Sequence, residues 1–209
     1  MIELLKKDWF SLAEIFSNET NTIEIRWREI QKQYSLKIRH YHNLSHIDHM
    51  LSHAKSVKGK ITNWENFLFA IWYHDIVYKP TKKDNEDKSA VWAKKGLKSL
   101  KIDEKSSKSI QDLIISTKNH KIQLNENNDN AYLLDIDLSI LGAEWEKYQT
   151  YIRNIRKEYS IYPNFMYRNG RKKVLQHFLE RKTLYFTKVF QDKFEIQARK
   201  NLTKEIKML

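Results

Sequence analysis

The chain has no cysteine. That excludes disulfides, thiolate metal ligands and a cysteine nucleophile. Proline and glycine are almost as scarce, with Pro 2 and Gly 4 in 209 residues. So few breakers leave little room for turn-rich sheet architectures and favour long helices with short connections. No run approaches the ~18 uncharged apolar residues of a membrane span. The opening MIELLKKDWF mixes acidic and basic residues early and lacks the apolar stretch of a secretory signal. A cytoplasmic protein without membrane partners is the expectation.

What is present is charge and apolar periodicity. Lys+Arg 38 against Asp+Glu 26 gives a net charge of +12. Such a surface attracts polyanions and anionic substrates. The lysines are scattered, not striped, so a small phosphate-bearing substrate is favoured over nucleic acid. Hydrophobic content of 41% supports one substantial core, and residues 1–209 read as a single domain. No feature bears on oligomeric state.

Apolar spacing reads helical almost throughout. Segment 3–17 places Leu4, Leu5, Phe10, Leu12 and Ile15 along one broad face. Segment 21–34 carries Ile23, Trp27, Ile30 and Tyr34. Asn43 can cap a helix to about Val57, with Ile47, Met50, Leu51 and Ala54 inward. Thr62-Asn63-Trp64-Glu65 fits a capping box for a helix that includes His74 and ends at Lys79-Pro80. Asp84 can cap the next helix, which holds Ala90, Val91, Ala93 and Leu97, and another runs from Asp103 to Thr117. NHKIQLNENNDN reads as a loop. Helices over LLDIDLSIL, EWEKYQTYIRNIRKEY, RKKVLQHFLERK and FEIQARKNL complete an all-α fold.

The chemistry concentrates in three apolar segments. FLFAIWYHDIVY carries the adjacent pair His74-Asp75, whose burial is costly unless something compensates it, and a divalent metal ion is the usual agent. RHYHNLSHIDHM places His42 and His46 four apart. LLDIDLSILG carries Asp135 and Asp137. His46, His74, Asp75 and Asp137 would supply two imidazoles and two carboxylates, leaving positions open for water and substrate. This mixed set suits Mn, Fe, Co, Ni, Zn or Mg. One ion is expected, with a second as an alternative.

Helix geometry restricts which histidines share that ion. His53 falls ~10 Å along the axis from His46, too far for one ion, whereas His49 is one turn away and stays open. His42, near the proposed cap, is placed to protonate a leaving oxygen. Glu86 in DNEDKSA is a candidate for orienting the attacking water; the plainer reading is a first-turn helix carboxylate. His120 in STKNH is either a phosphate contact, a ligand to a second ion or a polar loop histidine. Arg153, Arg156 and Arg171 are candidates to bind substrate phosphate, with a solvated basic face as the alternative. Tyr73 or Tyr78 could stack a base, and His40, His53 and His177 read as structural.

His46, His74-Asp75 and Asp137 resemble, in order, the H…HD…D signature of the HD-domain superfamily of metal-dependent phosphohydrolases. Tyr41-His42-Asn43-Leu44-Ser45-His46 is similar to the YHNxxH motif of its cyclic nucleotide phosphodiesterases, in which the first histidine donates a proton and the second binds metal. Asp137-Leu138-Ser139 is similar to their ADLSN segment, which singles out Asp137 over Asp135. More widely, RHYHNLSH, AIWYHDIVYKP, DNEDKSA, STKNH, LLDIDLSILG, YIRNIRKEY, YRNGRKKVLQHFL and ARKNLTKE resemble a family of HD-type phosphohydrolases of about this length. The resemblance implies an HD-type helical bundle with additional C-terminal helices. It also implies hydrolysis of a phosphate ester or phosphodiester, of a nucleotide-like small molecule. His74-Asp75-Ile76-Val77-Tyr78 lacks the HDxxH of the phosphodiesterases, and the HDxxE of some nucleotidases is missing too. The rival readings are an alarmone-type pyrophosphohydrolase and a catalytically idle module that binds nucleotide or nucleic acid.

Overall fold

The computed structural model describes residues 1–122 and 128–209. These form ten α-helices, with no strand among the described residues. The all-α expectation holds. The helices are α1 (Ile2–Ala13), α2 (Thr20–Tyr34), α3 (Leu44–Ser56), α4 (Trp64–Tyr73), α5 (Asn85–Ser99), α6 (Glu104–Ser116), α7 (Asn128–Asp137), α8 (Trp145–Glu158), α9 (Asn164–Leu179) and α10 (Lys188–Met208). Two compact units result, Met1–Leu133 and Leu134–Leu209.

The first unit is built around α4. This helix is apolar nearly all round, as a central helix must be, and buries Phe67, Phe69, Ala70, Ile71, Trp72 and Tyr73. Trp9 of α1 packs edge-on against Phe69, Trp72 and Tyr73 with ring centroids 5.8–5.9 Å apart. The α2 face is as expected: Ile23, Trp27, Ile30 and Tyr34 are all buried. So is that of α3, through Ile47, Met50, Leu51 and Ala54. On the far side α6 packs on α4 and α5. Gly96 of α5 admits the Tyr73 side chain: a methyl there would meet the ring carbon bearing the hydroxyl at 3.1 Å.

Several boundaries and faces differ from expectation. Helix α1 buries Leu5, Trp9, Leu12 and Ala13, while Leu4 and Ile15 are exposed, at 67% and 62%. Ile15 lies beyond the end of α1, where the helical period no longer applies. Val91 is likewise exposed, on the outer face of α5. The cap of α4 is Asn63, whose side chain accepts from the Asn66 amide at 3.0 Å. The Thr62 and Asn63 amides instead donate to the buried Asp129 carboxylate at 2.7 and 2.9 Å. Asp84 caps α5 by position only, its carboxylate pairing with Lys88 at 2.8 Å. Asp103 caps α6 through its side chain. Within NHKIQLNENNDN, residues 123–127 lie outside the described residues, and the last three positions already belong to α7.

The largest departure is at the end of α4. The helix stops at Tyr73, not at Lys79-Pro80. The carbonyls of Asp75 and Ile76 accept from Arg39, the Val77 amide donates to Ser89 Oγ, and the Lys79 amide donates to Asn85 Oδ1. Side chains from other elements therefore satisfy the main chain that a continued helix would have satisfied itself.

In the second unit, the last part of α7 leads into a 3-10 turn, Leu138–Gly142, against which α10 packs. Gly142 permits that approach, since a Cβ there would fall 2.8 Å from the Phe194 carbonyl oxygen. Asn201 donates to the Leu141 and Ala143 carbonyls at 2.8 and 2.7 Å, fastening the turn to α10.

Candidate metal centre

Three elements of the first unit deliver the site. Asn43 caps α3, accepting from the Ser45 amide at 2.9 Å while its amide group donates to the His40 carbonyl at 3.0 Å. This double grip fixes where α3 begins. It sets His46 in the first turn of the helix, buried, and His42 just ahead of it. His74 follows the last residue of α4 and Asp75 starts the loop beyond. His46 and His74 are 3% and 1% exposed, values that require compensation for two polar rings.

The donor atoms converge. His46 Nε2 lies 3.3 Å from His74 Nε2, and His74 Nε2 lies 3.2 Å from Asp75 Oδ2. His46, His74 and Asp75 are the one group of three or more potential metal donors, among the described residues, with ligand atoms all within 4.8 Å of one another. Two donors each about 2.1 Å from one ion, subtending about 90–109°, would stand about 3.0–3.4 Å apart. Both spacings meet that condition.

The tautomer of His74 follows from its other nitrogen. Nδ1 lies 2.9 Å from the Ile71 carbonyl. A carbonyl only accepts, so Nδ1 carries the hydrogen and Nε2 of the neutral ring presents a lone pair to His46 and Asp75. A metal-ligating histidine is typically oriented in this way. The donor set and the fixed tautomer both fit a divalent ion of the later first row, or manganese.

His42 stands beside the three donors, not among them. Its Nε2 is 4.0 Å from Asp75 Oδ2 and its ring stacks on Tyr78, centroids 4.2 Å apart. Tyr73, the other aromatic considered for base stacking, is 1% exposed and lies in the core. Glu86 falls within electrostatic reach of Asp75. Burial pushes its carboxyl above the usual range and the Asp75 charge adds to the rise, while its own backbone amide, Lys118 and His120 pull the other way. Glu86 and His120 are thus brought to the Asp75 side of the first unit. His120 has φ 46°, a left-handed conformation that is uncommon outside glycine.

The sequence did not disclose Arg39. It is 5% exposed. Its Nη1 donates to the Asp75 carbonyl at 2.6 Å and the His42 carbonyl at 3.1 Å, and Nη2 donates to the Ile76 carbonyl at 2.8 Å. The guanidinium carbon also lies 4.8 Å from the Tyr34 ring centre and 5.6 Å from that of Tyr78. One side chain therefore ties the segment bearing His42 to the segment bearing Asp75. In a chain this basic, nothing in the sequence marks one arginine as buried.

The remaining candidates belong to the second unit. Asp137 ends α7, half-buried, where its charge helps raise the Tyr151 phenol after burial has done most of the work. Asp135, two residues earlier, is fully buried and accepts from the Phe186 and Thr187 amides and the Thr187 hydroxyl, each at 2.7 Å. Burial pushes it up to about 6 against those three donors. It anchors the start of α10. Arg171 is bound through Nε to Glu205 Oε1 at 2.7 Å and through Nη2 to Glu205 Oε2 at 3.1 Å. Arg156 donates to the Tyr159 and Tyr162 carbonyls at 2.8 and 3.0 Å, closing the α8–α9 connection. Arg153 donates to Thr150 Oγ1 at 2.8 Å on an exposed face.

No helix among the described residues is long and apolar enough to cross a membrane. No family model, curated protein or solved structure matches the chain.

Proposed function

We propose that the protein is a metal-dependent phosphohydrolase of the HD type, acting on a phosphate ester or phosphodiester of a nucleotide-like small molecule. The observation that carries this reading is the convergence of His46, His74 and Asp75, with His74 held in the ligating tautomer by Ile71. The three residues come from two separate segments, 46 and 74–75, and no packing argument alone requires two buried imidazoles and a carboxylate to face one another.

His46, His74 and Asp75 would hold the ion. The sequence pattern names Asp137 as the fourth ligand. When bound, the ion supplies Lewis-acid polarisation of a phosphoryl oxygen. His42 is the proton donor to the leaving oxygen, since it stands next to the donor group without joining it, and Tyr78 holds its ring in place. Glu86 is assigned to accept a proton from the attacking water. Burial and then the Asp75 charge raise its pKa above the usual carboxyl range, which makes it a stronger base than an exposed carboxylate. The net charge of +12 favours capture of an anionic substrate. From the sequence, His120, Arg153, Arg156 and Arg171 are the proposed phosphate contacts. For Arg171 and Arg156 that role requires sharing the guanidinium with the protein acceptors already named.

The test is a hydrolysis screen of chelator-stripped protein, resupplied with Mn, Co, Ni, Zn or Mg singly. The substrates would be mono-, di- and cyclic nucleotides, alarmones and short oligonucleotides. Turnover that depends on one of these ions and disappears in His74→Ala supports the reading. Tight nucleotide binding with no turnover under any ion would favour the idle module instead.

A further inference from the structure

Helix α3 carries a second histidine pair outside the three-donor group. His49 and His53 are one turn apart, both half-buried, and both follow His46 along the helix. Their Nε2 atoms are 3.2 Å apart and their rings stand edge to face, with centroids 4.5 Å apart and planes at 84°. Side chains at i and i+4 share a helix face. The spacing of the two nitrogens again matches two ligands of one ion.

We propose that His49 and His53 form a second metal site, a two-histidine clasp for a late first-row divalent ion such as Ni2+, Cu2+ or Zn2+. Imidazole without carboxylate selects these ions, whereas Mn2+ and Mg2+ require oxygen donors to bind well. Between two neutral rings at this distance, one Nε2 donates a hydrogen to the other. In the clasp both Nε2 lone pairs face the ion. The donating ring moves its hydrogen to Nδ1, and no proton is released overall. The bound ion links consecutive turns of α3, the helix that presents His46. The clasp does not depend on whether the His46 centre turns over any substrate.

Stripped full-length protein is dialysed against Ni2+ and, separately, Mn2+, and its metal content is measured. The expected wild-type result is two equivalents of Ni2+ but one of Mn2+. His49→Gln/His53→Gln should lose one Ni2+ and keep its Mn2+, while His46→Ala/His74→Ala should keep one Ni2+ and lose Mn2+. A wild type that binds one Ni2+, with none in the His49→Gln/His53→Gln variant, would uphold the clasp and sink the centre. Unchanged Ni2+ content in that variant overturns the clasp. Should the variant fail to fold, histidine modification of the wild type by diethylpyrocarbonate decides: Ni2+ but not Mn2+ must protect His49 and His53, and equal labelling with and without Ni2+ overturns the proposal.

Discussion

The Arg39 guanidinium donates to the main-chain carbonyl of Asp75 at 2.6 Å. A residue 36 positions upstream thereby fixes the backbone of a proposed metal ligand. The same side chain holds the carbonyls of His42 and Ile76. Replacement by leucine strands these acceptors; the Ile76 carbonyl is buried, where an unsatisfied group costs ~1–3 kcal/mol, and the part-buried His42 and Asp75 carbonyls add less. Arg39→Leu should therefore lower the unfolding free energy by about 2–4 kcal/mol in denaturant titration. Metal content should fall with it, because the loop that carries Asp75 loses its anchor. Arg39→Lys cannot reproduce the planar fork and should recover only part of the loss. Wild-type stability in Arg39→Leu would refute the anchoring role.

His42 offers a separable effect. A proton donor contributes ~10²–10⁴-fold to turnover. His42→Ala should keep the metal and slow hydrolysis of an alkyl or nucleoside phosphate ester by about that factor. A nitrophenyl ester, whose leaving group departs without a proton, should be spared. Kinetics on both esters, with metal content measured alongside, check this; equal loss on the two would remove His42 from the donor role.

Asp135 is a structural test in the second unit. Three donors face its carboxylate, two of them main-chain amides at the start of α10. Asparagine presents one oxygen and an amide group that would oppose a donor. Asp135→Asn should destabilise the protein by about 2–4 kcal/mol, the range for a buried polar group left unsatisfied next to charged-group hydrogen bonds. Thermal unfolding measured at a fixed metal concentration reports it, and a shift within error would deny the anchor.

Much of the fold was legible because its helices obey one period. Ile23, Trp27, Ile30 and Tyr34 fall inward at spacings of three and four, and so do Ile47, Met50, Leu51 and Ala54. Of the site, His46, His74 and Asp75 were legible because polar residues in apolar runs demand a partner. Periodicity failed where tertiary contacts decide. It carried α4 to Pro80, whereas Arg39, Ser89 and Asn85 satisfy the main chain from Asp75 to Lys79 and end the helix at Tyr73. It also gave Asp84 a capping side chain that Lys88 has taken. Arg171 and Glu205, 34 residues apart, show the same limit, since no local pattern joins them.

On the proposed function, His46, His74 and Asp75 hold one divalent ion on which hydrolysis depends. The most direct measurement is calorimetric titration of chelator-stripped protein with Mn2+, followed by assay of the same samples on a phosphodiester. Mn2+ leaves the His49–His53 pair unfilled, so the account predicts one equivalent bound by the wild type, with activity rising in step. His74→Ala and Asp75→Ala should bind no Mn2+ and stay inactive at any concentration that saturates the wild type. Stoichiometric Mn2+ binding retained in both variants, or activity in the wild type that ignores the ion, would contradict it.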